Sequence, residues 1–409
     1  MNHIYIIHEA QSSKLNGIGT YLKALVKCCK DSGCKVSLVD VNADAEEFRI
    51  VEYPDYEQIV IPSYSSDAMM DAAECVVTFL RMYLDRESTN IFMINQYPCN
   101  GLVNSLRASF PESFIYFVIH DMAWTATYMG DIRSFERALK RGDKAFAPRY
   151  RMECDLFQSV DKVICLSPET YQILRNLYRL SEDKVVCIPN GLKDCYVPFT
   201  SEEQLEVRTR YHISPDEFVI VWIGRCSPLK GLKALFSAFR SFLPYCPSAR
   251  LVIIGPLFSA DWMFEGSSSC ASRVTFTGHI PREEVFDWYR IADIGVIPSY
   301  TEQCSYVGIE MLMFGLPIVA TDGNGLKSMF VHEENALVAN IGSRKHIKTL
   351  SRHLMQCFHT MLNADTRKRL SHNARACYRE KYTQEKMSEG YAQIFNNIDN
   401  VIPDYETIG

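Results

Sequence analysis

Four charged side chains stand at spacings that suit the binding of a phosphorylated ligand. Arg225 and Lys230 lie in the segment IGRCSPLKG, which follows a predicted strand and opens a predicted helix. Glu302 and Glu310 are separated by seven residues within the segment 298–321. Cations at a helix N-terminus bind anions, because their charge adds to the backbone N–H groups and the helix dipole. Taken alone, the basic segment also fits a solvated turn, and Glu310 also fits a helix carboxylate satisfied within the fold.

The elements that must position these residues are short β-rich runs that alternate with longer helical patterns, which is typical of parallel α/β sheets. One series of strands is predicted at residues 3–7, 35–40, 58–61, 91–94, 114–119, 162–166 and 184–188. After a break at Asn190-Gly191, a second series is predicted at residues 218–223, 250–254, 273–277, 293–298, 317–321 and 337–338.

These two series predict two doubly wound, Rossmann-like domains that face each other across a cleft. The expected boundaries are residues 1–195 for the first domain and 196–380 for the second, with C-terminal helices in 381–409 returning to the first. Open α/β sheets bind ligands beyond the carboxyl ends of their strands. The loops after the strands are therefore where chemistry is expected.

Composition excludes several classes of protein. The 409 residues carry a net charge of −6, which argues against a general nucleic-acid binder. The 15 cysteines are scattered without any C-x-x-C pair, which favours free thiols in a reducing compartment over a disulfide scaffold or zinc ribbon. We expect no signal peptide, because His8 and Glu9 break the first apolar run, and no apolar stretch reaches the length of a membrane span. We expect a cytoplasmic protein, with peripheral contact at the inner membrane face left open.

Several motifs occur in order along nearly the whole chain. The stretch from Glu302 to Glu310 resembles the E-x7-E signature of retaining GT-B glycosyltransferases, in particular glycosyltransferase family 4. Other segments resemble further signatures of this family, namely NGIGTYLKAL, HDMAW, VICLSPETYQILRNLY, VVCIPNGL, the GR…KG element and VTFTGHIPREEVFDWYRIADIGVIPS. The resemblance implies a nucleotide-sugar-binding second domain and an acceptor-side first domain.

The resemblance also implies roles for the charged residues. Arg225 and Lys230 would hold the diphosphate and stabilise the charge left on it as the glycosidic bond breaks. Glu310 would hydrogen-bond the ribose hydroxyls, and Glu302 would contact hydroxyls of the donor sugar.

Further donor-site roles are implied for smaller and neutral residues. His120 would face the donor sugar near the reacting carbon. The donor-binding residues implied in addition are Gly17 and Gly19, which let the backbone approach phosphate, Gly278 and His279 beside the base, and Cys304, Ser305 and Tyr306, where backbone N–H groups would point at phosphate.

The implied activity is transfer of a sugar from a UDP- or GDP-sugar to a glycan, lipid-linked saccharide or peptide, in the biosynthesis of a polysaccharide or glycoconjugate. No cofactor is expected beyond this donor. The chain has no D-x-D motif of the kind that holds a metal in the other main glycosyltransferase fold, so no essential metal is expected. Two departures from the family pattern stand out: Cys304-Ser305 follows the first glutamate, and Ser328 replaces an acidic residue after the glycines around Asn324.

Three alternatives remain open. A dinucleotide-dependent oxidoreductase would need G-x-G-x-x-G, but the third glycine position holds Leu22. A nucleotide-sugar epimerase or a phosphorylase is possible on the same fold. A catalytically inactive binding module would be expected to have lost part of the charged set. 

The sequence indicates the acceptor-binding residues less clearly than the donor-binding residues. A basic excess in residues 131–151 would suit an acidic or phosphorylated acceptor, and it equally suits a solvated helix face. The residues nominated for acceptor binding are Arg133, Arg137, Lys140 and Arg141.

Overall fold

The chain forms two compact α/β units in a computed structural model. The structure describes residues 1–10, 17–63, 68–85, 87–95, 99–144, 146–256, 266–344 and 346–396. The first unit comprises Met1–Ala123, Ala138–Gly191 and the chain from Gln384 onward, and the second comprises Trp124–Arg137 and Leu192–Thr383. The segment Trp124–Arg137, which lies within the sequence range 1–195, therefore belongs by its contacts to the second unit.

The described residues of the first unit form an eight-stranded sheet. The strands are β1 (Asn2–Glu9), β2 (Lys35–Ala43), β3 (Arg49–Glu52), β4 (Glu57–Pro62), β5 (Thr89–Ile94), β6 (Phe114–Val118), β7 (Lys162–Cys165) and β8 (Val185–Cys187). Their order is β3-β4-β2-β1-β5-β6-β7-β8, and every pair is parallel except β3 with β4. The short strand β3, exposed along most of its length, is the one strand here that the sequence did not predict.

The described residues of the second unit form a six-stranded, fully parallel sheet. The strands are β9 (Phe218–Ile223), β10 (Ala249–Ile254), β11 (Val274–Gly278), β12 (Ile294–Ile297), β13 (Ile318–Thr321) and β14 (Leu337–Ala339). Their order is β11-β10-β9-β12-β13-β14. The order reverses between β9 and β12, which is the point where open α/β sheets offer a crevice to ligands.

Helices connect and cover these strands. In chain order they are α1 (Ile18–Asp31), α2 (Ala68–Tyr83), α3 (Asn100–Ser109), α4 (Ala123–Thr127), α5 (Ile132–Lys140), α6 (Ala147–Ser159), α7 (Pro168–Asn176), α8 (Ser201–Arg210), α9 (Leu232–Phe242), α10 (Arg282–Ile291), α11 (Tyr306–Met313), α12 (Lys348–Thr360), α13 (Ala364–Lys381) and α14 (Gln384–Asn396). None of the described helices meets the length and hydropathy needed to cross a bilayer.

The central strands of the second sheet are buried. Strands β9, β12 and β13 are buried along almost their whole length, as expected for a sheet covered on both faces. Helix α9 packs Leu235 and Phe239 against this sheet, and Phe239 is fully buried. The loops that carry Arg225, Lys230 and Glu302 therefore leave from the packed core of this sheet.

Candidate functional site

Two glycines, one in the loop after β9 and one directly after β10, adopt conformations that only glycine accommodates well. Gly231 has φ +69°, and a Cβ there would lie 1.9 Å from the carbonyl oxygen of Pro298. At Gly255, with φ +140°, a Cβ would lie 2.0 Å from the carbonyl oxygen of Gly224. The backbone of the β9 loop therefore touches the start of the β12 loop and the end of β10, and a side chain would force these segments apart.

A second contact ties the β9 loop to the β12 loop. The backbone N–H of Tyr300 donates to the carbonyl oxygen of Leu229, with N···O 2.8 Å. This bond holds the short 3₁₀ turn Pro228–Lys230 against the strand end that leads to Glu302. The two charged segments recognised in the sequence are consequently adjacent in the second unit.

Lys230 and Glu302 form an ion pair at this junction. The Nζ of Lys230 donates to Oε1 of Glu302 at 2.6 Å. Their side chains are 27% and 14% exposed, so the pair is partly shielded from water while remaining accessible to a ligand. An ammonium held beside a carboxylate can bind an anion through its remaining hydrogens, while the carboxylate can accept hydrogen bonds from hydroxyls.

A third loop, residues 322–326, fixes the backbone of Glu302. The N–H of Glu302 donates to the carbonyl oxygen of Asn324 at 2.9 Å. Gly325 has φ +72°, and a Cβ there would come within 2.1 Å of the carbonyl oxygen of Glu302. The glycine that follows Asn324 therefore allows this loop to pack directly on the loop of Glu302.

Glu310 lies on α11, where two polar groups hold its carboxylate. Arg282 Nη2 donates to Oε1 and the Tyr289 hydroxyl donates to Oε2, both at 2.9 Å. Burial raises the pKa of Glu310, and the Arg282 guanidinium and Tyr289 hydroxyl oppose that rise. Arg282 also stacks on Phe286, with 5.2 Å from its guanidinium carbon to the ring centroid. The carboxylate is thus oriented before any ligand binds, with lone pairs left for further donors.

The other residues of the second unit that the sequence nominates for donor binding fall into exposed and buried groups. Arg225 and His279 are exposed, and Gly278 ends β11 with φ +73°. Cys304 is buried, and the hydroxyl of Ser305 caps α11 by accepting from the N–H of Gly308 at 3.1 Å. The N–H of Ser305 is directed at the sulfur of Met329, 3.4 Å away, so in this structure it is already engaged within the protein.

Tyr306 is the first residue of α11, so the sequence stretch nominated for donor binding coincides with the N-terminus of that helix. A helix N-terminus favours negative charge through its dipole.

His120 follows β6 in the first unit and is held on two sides. Its Nε2 lies 2.9 Å from Oδ1 of Asn95, and its ring meets the ring of Tyr21 edge-on at 4.7 Å. Burial lowers the pKa of His120 to about 4, so the imidazole is neutral at pH 7. Gly17 precedes α1 with φ −62° and Gly19 lies in the first turn of that helix, so neither sits in an unusual loop conformation; residues 11–16 lie outside the described residues.

The basic residues nominated for the acceptor are exposed. Arg133, Arg137 and Lys140 lie on α5 and Arg141 follows it. The first two belong to the second unit and the last two to the first. Their exposure fits both an acceptor surface and a solvated helix face. Among the described residues, no group of three or more His, Cys, Asp or Glu side chains is placed to hold a metal ion.

Sequence reasoning missed the residues that support the charged set. Arg282 and Tyr289 lie 28 and 21 residues before Glu310, and Asn95 lies 25 residues before His120. Nothing in the local sequence marks Arg282 and Tyr289 as partners of Glu310, because these contacts arise from the packing of α10 on α11. A buried polar residue at the end of a predicted strand, such as Asn95, was the one available signal.

The chain matches two glycosyltransferase family profiles and several curated glycosyltransferases. The family profile described as Glycosyltransferase Family 4 matches residues 15–194, and that described as Glycosyl transferases group 1 matches residues 203–376. An uncharacterized glycosyltransferase of Methanocaldococcus jannaschii is 28% identical over 180 residues, which are 43% of this chain and 46% of that protein. The chain spans about half the length of the curated relatives that it matches.

Solved structures resemble almost the whole chain. Sucrose-phosphate synthase from Thermosynechococcus elongatus superposes with a TM-score of 0.78 at 18% identity, covering 98% of this chain and 100% of that one. Anabaena HepE in complex with UDP-glucose superposes with a TM-score of 0.71 at 17% identity, covering 97% and 100%. Likeness at this identity establishes the fold. Together with the two family profiles, it shows that the chain belongs to the group 1 glycosyltransferases of family 4 and has the GT-B fold.

Proposed function

We propose that this protein is a retaining glycosyltransferase that moves a sugar from a UDP- or GDP-sugar to a hydroxyl of a glycan, lipid-linked saccharide or peptide, without a metal. The observation that carries the proposal is the Lys230–Glu302 ion pair, held where the strand order of the second sheet reverses. A nucleotide-sugar donor is supported by the fold shared with Anabaena HepE, whose structure contains UDP-glucose.

The second unit offers complementary groups to the parts of such a donor. Lys230 and the exposed Arg225 supply positive charge for a diphosphate. Glu310, oriented by Arg282 and Tyr289, supplies oxygens that accept hydrogen bonds from the two ribose hydroxyls. The carboxylate of Glu302 accepts hydrogen bonds from hydroxyls of the donor sugar. This assignment is the one that the resemblance to the family implies, and it agrees with elementary chemistry, because cations suit phosphate and carboxylates suit hydroxyl groups.

The reaction exchanges one bond at the anomeric carbon for another. The bond from that carbon to the phosphate oxygen breaks, and the nucleoside diphosphate leaves with the electron pair. The acceptor oxygen bonds to the same carbon, and its proton passes to an oxygen of the departing diphosphate, with the anomeric configuration kept. Negative charge grows on the phosphate as positive charge grows on the sugar, so fixed cations aimed at the phosphate lower the barrier. 

Metal independence rests on the same cations. If Lys230 and Arg225 neutralise the departing diphosphate, a divalent ion is not required for that task. The acceptor is proposed only as a class, with Arg133 and Arg137 as the exposed cations of the second unit that would meet an acidic or phosphorylated acceptor. A place in the cytoplasm, in contact with the inner membrane face when the acceptor is lipid-linked, completes the proposal.

The test is product analysis with UDP- and GDP-sugars in the presence of EDTA. We expect slow release of nucleoside diphosphate with the matching donor, and release of free sugar in the original anomeric configuration when water takes the place of the acceptor. Conversion of the nucleotide sugar to an epimer without release of nucleoside diphosphate would instead show an epimerase. Activity that appears only after manganese or magnesium is added would overturn metal independence.

A further inference from the structure

Asn95 and His120 stand at the carboxyl ends of neighbouring strands in the first sheet. Asn95 directly follows β5 and is 6% exposed, and His120 follows β6, which pairs with β5 in parallel. The 2.9 Å contact between Asn95 Oδ1 and His120 Nε2 therefore joins two backbone segments that the sheet already fixes. The side chains meet at the same edge of the sheet where ligands bind in this class of fold.

The surroundings of Asn95 determine which way its amide points. Its Nδ2 donates to the carbonyl oxygen of Met93 at 3.2 Å, and its backbone N–H donates to the carbonyl oxygen of Ile7 at 2.8 Å. A carbonyl oxygen can only accept, so the amide nitrogen must face Met93 and the amide oxygen must face His120. An amide oxygen also only accepts, so Nε2 of His120 must carry a hydrogen.

The other ring nitrogen, Nδ1, can then only accept a hydrogen bond. Burial lowers the pKa of His120 to about 4, so the ring carries a single hydrogen at neutral pH, and Nδ1 keeps a lone pair. Within the described part of the chain, Nδ1 has no protein hydrogen-bond partner. The edge-on ring of Tyr21, itself 1% exposed and hydrogen-bonded through its hydroxyl to Tyr391 of α14, holds the plane of the imidazole.

We propose that Asn95 is a positioning residue that fixes His120 as the Nε2–H tautomer, so that Nδ1 accepts a hydrogen bond from a hydroxyl of the sugar substrate. The substrate half of this inference rests on the proposed function, whereas the tautomer half does not. Among the described residues, the titratable group that contacts the ring is Tyr21 of α1, and the chain neighbour Asp121 is exposed and accepts from the N–H of Met122. His120 thereby acts as an acceptor and not as an acid at neutral pH.

The first experiment is ¹⁵N NMR of the histidine side chains of the full chain without ligand, with the His120 signals assigned by their loss in H120N. We expect His120 to be neutral at pH 7 with its hydrogen on Nε2. A hydrogen on Nδ1, or a charged ring at pH 7, would overturn the proposal. This measurement needs no turnover, so it decides the tautomer even if no nucleotide sugar is a substrate.

The second experiment changes the partner of His120 with N95D. A carboxylate accepts from Nε2–H as the amide oxygen does, but its charge raises the pKa of a nearby histidine by about 1–3 units. We expect the pKa of His120 to rise to between about 5 and 7, and the rate of sugar transfer to fall with decreasing pH across that range. In the wild type, any loss of rate caused by His120 titration should lie near pH 4.

The matched control is N90D, which places the same new carboxylate at the other end of β5. Asn90 is 7% exposed, and its amide donates to the carbonyl oxygens of Asp85 and Ser88 without touching His120. N90D should leave the His120 signals and the shape of the pH profile unchanged. A profile that changes equally in both variants, or in neither, would refute a positioning role for Asn95. If N95D does not fold, the wild-type spectrum still decides the tautomer.

Discussion

Replacing Glu302 by glutamine should tighten the binding of free nucleoside diphosphate while slowing sugar transfer. In the unliganded protein, the ammonium of Lys230 is bound to the carboxylate of Glu302 at 2.6 Å. A phosphate that binds Lys230 must share this ammonium with the carboxylate and also meet its negative charge. Glutamine keeps the shape and one acceptor oxygen but removes the charge, so Lys230 becomes fully available to phosphate.

The size of the effect follows from the exposure of the pair. The side chains of Lys230 and Glu302 are 27% and 14% exposed, so their interaction is stronger than a fully exposed ion pair and weaker than a buried one. A value of about 1 kcal/mol is reasonable for such a pair. Removal of this competition corresponds to a roughly fivefold lower Kd for UDP or GDP. The gain should shrink as salt is raised, because ions screen the charges.

Turnover should change in the opposite direction. The proposal gives Glu302 the hydroxyls of the donor sugar, whose charge and geometry change as the bond breaks. Losing a charge-assisted hydrogen bond there costs about 1.5–3 kcal/mol, or roughly a ten- to hundredfold decrease in kcat.

The assay combines isothermal titration with nucleoside diphosphate and steady-state kinetics with the intact donor, on protein whose folding is checked by circular dichroism. Glu310→Gln serves as the comparison, because it removes a charge from the same unit without touching Lys230 and should weaken binding. Weaker nucleoside diphosphate binding by Glu302→Gln, or an unchanged kcat, would refute the role given to the Lys230–Glu302 pair.

Further predictions concern binding, the loops, pH and metal. Glu310→Gln should raise the donor KM roughly ten- to hundredfold with little change in kcat, because its contact to ribose is remote from the reacting bond. Gly231→Ala should lower the free energy of unfolding by more than about 3 kcal/mol in urea titrations, whereas Gly33→Ala, which has a similar φ of +73° but open space around its Cβ, should cost about 1–2 kcal/mol; equal losses would contradict the tight contact. The pKa of His120 is near 6.5 in the unfolded state and about 4 in the folded state, so the free energy of unfolding should fall as pH drops through this range. His120 contributes up to about 1.4 kcal/mol per pH unit to this fall, so the slope should be smaller by that amount in His120→Asn. Parallel pH profiles of the two proteins would contradict the lowered pKa. Transfer rates should be the same with and without EDTA, and complete loss on chelation would contradict metal independence.

The strands were predictable because a doubly wound sheet leaves a strong pattern. Buried parallel strands are continuous apolar runs, and β9 is found at Phe218–Ile223, the same residues that the sequence indicates. Strand β3 was not predictable, because it is a short, exposed edge strand that pairs antiparallel with β4. Its residues carry no buried face, so the hydrophobic pattern contains no signal for it.

The charged residues of the candidate site could be predicted from the sequence, whereas the contacts that hold them in position could not. The spacing of Glu302 and Glu310 around the start of α11 revealed one loop residue and one helix residue, and the structure places them so. The pairing of Lys230 with Glu302 depends on the close approach of Gly231 to Pro298, which is set by tertiary packing. Likewise, only the geometry of Asn95 reveals the tautomer of His120.

The segment Trp124–Arg137 belongs to the second unit because of tertiary contacts that the sequence does not reveal. Asn324 Nδ2 donates to the carbonyl oxygen of Gly130 at 2.9 Å, and Arg344 Nε donates to that of Met129 at 2.7 Å. These bonds join residues about 200 positions apart in the chain, and neither donor nor acceptor is marked by local sequence. Chain order alone therefore assigns the segment to the other unit.

The central claim is that a nucleoside diphosphate binds the loops after β9 and β12 through Arg225 and Lys230 without a metal. Isothermal titration of UDP and of GDP in EDTA, into the wild type and into the folded variant R225A/K230A, tests it most directly. We predict that one of the two nucleotides binds the wild type, and that the double variant binds it at least about a hundredfold more weakly, because two charge-assisted contacts are lost. Binding of neither nucleotide to the wild type, or equal affinity in the double variant, would contradict the claim.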